Sequence, residues 1–288
     1  MPELGELVSP PMMDDDELQC PFEHDKPGKV KNDLSNSPAN LRKRLENGWS
    51  TKLWNSEGDQ IKPAENQKLL EPRPEEECPA GPVNVDGNEY PYSRSAHHLI
   101  PADAALPKSP LIEFMKEGKK VFGDVGYDIN GAENGIWLPT HHALSTEMKE
   151  GRVLPGEDVS IKYGGLTKKV KKEKQENPMF ATFQQRFAYN VMKKTNRQFH
   201  DSHPAYSDFV IEVLKKINAN LIQLSGECKK CEEVVKQNGK LAPNHKLVSR
   251  LNALSCRLRN YLSGPPEMWR LPLFTSRFAA ELAEMAQT

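Results

Sequence analysis

No stretch of this chain approaches the roughly 18 consecutive apolar residues that a membrane-spanning helix needs, so nothing in it reads as a membrane span. Cysteine is scarce: five over 288 residues are too few and too scattered for a disulfide scaffold. The opening Met1-Pro2-Glu3-Leu4-Gly5-Glu6 carries acids where a secretory signal needs a basic start and an apolar run. The expectation is a chain made in a reducing compartment without a signal peptide. Apolar residues reach only 37%, short of the ~45–50% of an ordinary globular domain. One uniformly packed globule is therefore excluded, and a core is expected in part of the chain. No internal repeat is visible.

What is abundant is proline, with 23 residues, and charge, at 27% of the chain. The net charge of −1 hides an asymmetry. Residues 1–90 hold 19 Asp/Glu against 10 Lys/Arg, together with 11 of the prolines. Such a composition buries too little apolar surface to offset chain entropy. Most of 1–90 is therefore expected to be an extended acidic arm, weakly ordered or docked on a partner or on the rest of the chain. A short helical patch stands near Leu41–Trp49. Asp14-Asp15-Asp16-Glu17 is the densest acidic cluster there, either a solubilising tail or a cover for a basic surface elsewhere. That surface is expected within 162–197, where 10 Lys/Arg face two Glu. Lys168, Lys169, Lys171, Lys172 and Arg197 belong to it. Either it attracts a phosphate backbone without reading sequence, or it is a solvated loop.

Between these lies a turn-rich segment. Ala96-His97-His98-Leu99-Ile100-Pro101 predicts a short strand ending at a turn, Leu111–Met115 a helical run, and Gly135-Ile136-Trp137-Leu138-Pro139 a second strand ended by proline. Further on, Gln184–Arg197 predicts a helix, and Pro204 opens another at its first turn. Phe209, Val210, Val213, Leu214, Ile217 and Leu221 form one apolar stripe along the latter. Leu247–Leu262 and Arg277–Met285 predict two more helices. Cys228 and Cys231 are half of a zinc-ribbon pattern that needs a second pair, and they read better as one helical face. Trp269, Leu271, Leu273 and Phe274 are expected in a core or an interface.

The histidines carry the sharpest chemical signal. Six of the eight fall between residues 97 and 203: His97, His98, His141, His142, His200 and His203. Adjacent residues on a strand point to opposite faces, so one imidazole of His97-His98 can ligate a metal while the other takes a proton near neutral pH. Taken alone, such a pair is as readily a hydrogen-bonded structural feature.

The combination is more specific. Ser95-Ala96-His97-His98-Leu99-Ile100-Pro101, Asp128-Ile129-Asn130, Asn134-Gly135-Ile136-Trp137-Leu138-Pro139 and His203-Pro204-Ala205-Tyr206 together resemble the HNH/endonuclease VII superfamily of nucleases, and within it the AHH subgroup. The likeness spans about 95–215, less than half the chain. It implies an α+β fold: a small ββα-metal, treble-clef-like nuclease core at 91–288, with a basic insert at 140–199, a helical C-terminal region at 204–288 and the acidic arm before it. By position, it implies His97 and His203 as metal ligands, His98 as the general base and Asn134 as the residue orienting that base. His200 is a further candidate ligand, though its spacing from His203 is shorter than the resemblance implies. His141 and His142 receive no role from it.

The implied cofactor is a divalent metal ion: magnesium, zinc or nickel. The implied substrate is DNA, with RNA open on the same chemistry, and a metal-stabilised adaptor without catalysis is the reading from another class. The subgroup occurs as a toxin domain in bacterial polymorphic toxins, including type VI secretion effectors. It therefore also implies a cognate immunity protein, a secretion-machinery component as a further partner, no membrane association, and a protein made in the bacterial cytoplasm and delivered into a target cell.

Overall fold

A computed structural model describes residue 22 and residues 30–47, 53–54, 60–61, 78–79, 81–143, 178–244 and 246–287. Among these, six α-helices accompany a three-stranded sheet and one two-stranded ladder. The helices are α1 (Pro38–Asn47), α2 (Pro178–Thr195), α3 (Pro204–Glu227), α4 (Lys229–Asn238), α5 (Lys246–Leu262) and α6 (Arg277–Gln287). The strands are β1 (Leu53–Trp54), β2 (Gln60–Ile61), β3 (Gly81–Val85), β4 (Asn88–His98) and β5 (Gly135–Thr140), with the larger sheet ordered β3-β4-β5. No described helix is long and apolar enough to cross a membrane. The described residues cluster into two compact units, one drawn from 1–74, 96–136 and 204–260, the other from 75–95, 137–203 and 261–288.

The first unit is built around α3. The whole predicted stripe, Phe209, Val210, Val213, Leu214, Ile217 and Leu221, is buried, and it packs on two short 3-10 turns, Leu106–Lys108 and Pro110–Phe114. The helical run expected at Leu111–Met115 is thus a 3-10 turn. Pro110 supplies a fixed φ at its first position, and the Ser109 side chain accepts from the Leu111 amide. Segment 30–47, expected in an arm either weakly ordered or docked on a partner or on the rest of the chain, is packed into this core. Ser37 caps α1 by accepting from the Asn40 amide at 3.3 Å, and Pro38 fits the first helical position. Leu41 and Leu45, one turn apart, are both buried. They press against Gly135, where an added Cβ would lie 2.8–3.0 Å from their methyl groups. Low apolar content over 90 residues concealed a local segment whose few leucines share one helix face.

The second unit holds a hairpin that composition also obscured. β3 and β4 pair antiparallel from Gly81↔Tyr92 to Val85↔Asn88. Asp86 and Gly87 join them with φ of 54° and 85°, the left-handed pair that a two-residue hairpin turn of matching twist requires. Val83, Val85 and Tyr92 from this hairpin pack with Phe183, Phe187, Val191 and Met192 of α2 and with Phe278, Ala279 and Leu282 of α6 around Trp269. Leu273 is buried too, whereas Leu271 is exposed. Within the expected insert, 178–195 is therefore a core helix, and 144–177 lies outside the described residues.

Candidate active site

β4 delivers His97 and His98 at its last two positions, both buried. The Nε2 atom of His98 lies 3.0 Å from Asn130 Oδ1. Asn130 is itself fixed on both sides: its Nδ2 donates to the Ser35 carbonyl at 2.9 Å, and its Oδ1 accepts from the Ser37 amide at 3.1 Å. With Oδ1 established as the acceptor, His98 must donate from Nε2. The remaining lone pair of the neutral ring is then on Nδ1. Burial holds the His98 pKa below the usual imidazole value, opposed by the Asn130 hydrogen bond and by the charge of Asp103. Burial thus favours the neutral ring, the state a proton acceptor needs.

The asparagine that faces His98 is Asn130; the expected partner, Asn134, makes other bonds. Asn134 Oδ1 accepts from the Ile100 amide at 2.7 Å and from Ser255 Oγ at 2.9 Å. Its Nδ2 donates to the carbonyls of Ile100 at 3.1 Å and Ile129 at 2.9 Å, and its carbonyl accepts from the Leu99 amide. It grips the two residues after His98 through their backbone and does not touch the imidazole. Tyr206, in the first turn of α3, ties down the same stretch by donating to the Leu99 carbonyl at 2.6 Å. Its ring stands 5.8 Å from that of His97.

His200 and His203 lie just before α3. The His200 amide donates to the Pro139 carbonyl at 2.8 Å and the Asp201 amide to Thr275 at 3.0 Å, so the segment is held by its backbone. The two rings are 5.4 Å apart. Burial, then the neighbouring His203, pushes the His200 pKa down to about 4, and burial lowers that of His203. His200 and His203 thus stand as neighbouring imidazoles in the second unit, while His97, at the end of β4, belongs to the first. A pair of imidazoles kept neutral by burial is suited to a divalent transition ion, for which neutral imidazole is the commonest ligand. The His200–His203 pair therefore fits a metal by its donor chemistry.

His141 and His142 follow β5, with rings 5.5 Å apart and His142 exposed. Arg197 is half-buried and donates to Ser263 Oγ at 3.3 Å. Lys168, Lys169, Lys171 and Lys172 lie outside the described residues, as does Asp14–Glu17. Sequence reasoning missed the bond to Asn130 although Asp128-Ile129-Asn130 was part of the resemblance. It also missed Ser35, whose partner is 95 positions away, a separation that no local pattern encodes.

Residues 83–153 match the model of the AHH family, described as a nuclease family of the HNH/ENDO VII superfamily with conserved AHH. The matched span takes in His97, His98, Asn130 and Asn134 and leaves out His200, His203 and segment 30–47. The match implies a nuclease, an enzyme that hydrolyses phosphodiester bonds. No curated protein and no solved structure matches the chain.

Proposed function

We propose that this chain is a metal-dependent endonuclease that hydrolyses DNA with little sequence specificity and serves as an antibacterial toxin. One observation carries the reading: the buried second histidine of the Ala-His-His segment, His98, bonds through Nε2 to Asn130, which leaves Nδ1 for a proton. His97, His200 and His203 would hold the ion. A divalent cation there supplies positive charge to offset the negative charge that builds on the phosphate and leaving oxygen.

The protein's own part is proton transfer and positioning. His98 Nδ1 takes a proton from the attacking water while Nε2–H stays on Asn130 Oδ1, which steadies the imidazolium that forms. Asn134 and Tyr206 hold the backbone of residues 99–100, which fixes the place of the strand end. General-base action of this kind contributes about 10²–10⁴-fold.

The likeness of the Ala-His-His segment to polymorphic-toxin domains supports the toxin role. With it come a cognate immunity protein covering the site, delivery by a secretion machine, and synthesis in the bacterial cytoplasm. Lys168, Lys169, Lys171, Lys172 and Arg197 are the candidate phosphate contacts.

Purified protein should degrade plasmid DNA with a divalent ion, and EDTA should stop it. His98→Ala should lower the rate at least about 100-fold in a chain that still folds. An alanine variant that cuts like the original overturns the mechanism, and parallel digestion of RNA decides the substrate.

A further inference from the structure

We infer that residues 32–44, which the family match does not cover, are a positioning clamp for the general base, and that Arg44 and Asn130 are positioning residues of the nuclease site. This inference rests on the reading of His98 given above.

The clamp works through the loop 126–130. Asp33 lies beside Asp128 in a parallel bridge: its amide donates to the Tyr127 carbonyl at 2.9 Å, and its carbonyl accepts from the Ile129 amide at 2.8 Å. Asn32 Oδ1 accepts from the amides of Gly126 and Tyr127, both at 2.9 Å, while its Nδ2 donates to the Met115 carbonyl. The loop thus gains an added strand-like partner supplied from far upstream. At its end, Asn130 has every side-chain atom engaged: Nδ2 on Ser35, and Oδ1 on Ser37 and on His98.

Asp128 links the loop to α1. One carboxylate oxygen accepts from the Asn130 amide at 2.9 Å, and the other forms an ion pair with Arg44 at 2.7 Å. That carboxylate is 1% exposed and the guanidinium 17%, so the pair is shielded from the solvent screening that empties surface pairs of value. α1 is in turn seated by Leu41 and Leu45 against Gly135, the first residue of β5. Asn36 reaches over to Asp103. A free asparagine amide can present either end to a histidine. Here the Ser35 carbonyl and the Ser37 amide allow one orientation only, which places the His98 proton on Nε2 and the lone pair on Nδ1.

The test uses the full-length chain with selectively ¹⁵N-labelled histidine. Nitrogen NMR of the metal-free wild type near pH 7.5 should report His98, assigned by its loss in His98→Ala, as the Nε2–H tautomer. An Nδ1–H tautomer overturns the proposal even if every clamp variant fails to fold. Asn130→Ala and Arg44→Gln should lower kcat on the order of 10–100-fold with KM little changed, and should mix the His98 tautomers. Arg44→Lys should recover most of the loss. Folded variants that keep wild-type kcat and a single tautomer overturn the clamp while leaving the nuclease reading intact. A His98→Ala variant that still cuts sinks the nuclease reading, whatever the tautomer.

Discussion

His97 and His98 differ in surroundings because a strand turns them to opposite sides, and each meets a different set of neighbours. His98 meets a carboxamide oxygen that can only accept, while His97 lies beside the Tyr206 ring. The same burial that prepares these rings makes the fold sensitive to acid. A folded-state pKa below the unfolded value of about 6.5 gives stability that is complete above that value and lost as pH falls towards the folded one. For His200 the window runs from about 6.5 down to about 4. In metal-free protein, the melting temperature of wild type minus that of His200→Gln should therefore shrink between pH 7 and pH 4.5. Thermal scans by circular dichroism at several pH values would measure it, and a difference that grows on acidification contradicts the assignment.

At the scale of elements, glycine and turn chemistry decide where the strand ends go. Gly135 has no room for a side chain, because α1 approaches it through Leu41 and Leu45. Gly135→Ala should cost about 1–3 kcal/mol by overpacking, read as a lower denaturant midpoint. In a Leu41→Ala background, the further cost of the same substitution should be smaller. Additive losses would mean that the two sites do not touch. Much at this scale was legible beforehand. The stripe on α3, Pro204 at its start, and the helices near 247–262 and 277–285 follow from apolar spacing and proline placement. The β3–β4 hairpin was equally present in Asp86-Gly87 between alternating apolar residues, but the acidic, proline-rich composition of 1–90 outweighed that local signal. The helical patch near Leu41 was legible, but residues 32–37 before it were not, because their order comes from partners some 90 residues away.

At the scale of the whole molecule, the assembled site should be visible as linkage. An ion held by the folded chain and not by the unfolded one raises stability in proportion to RT ln(1 + [L]/Kd). Zinc or nickel titrated into chelator-treated protein should thus raise its melting temperature by several degrees, and His97→Ala and His203→Ala should each remove most of that rise. A rise that persists in both variants would place the ion elsewhere. The sequence by itself determined the local matters: which segments form helices, that Ala96-His97-His98 ends a strand, and that imidazole chemistry is concentrated between residues 97 and 203. Periodicity and turn preference act over a few residues, and such signals survive in one dimension. Only the tertiary structure decided that Asn130 rather than Asn134 faces His98, and that an upstream strap holds the loop carrying Asn130. Each of those is a hydrogen bond or an approach set by packing between distant segments, and packing fixes distances that spacing along the chain does not carry.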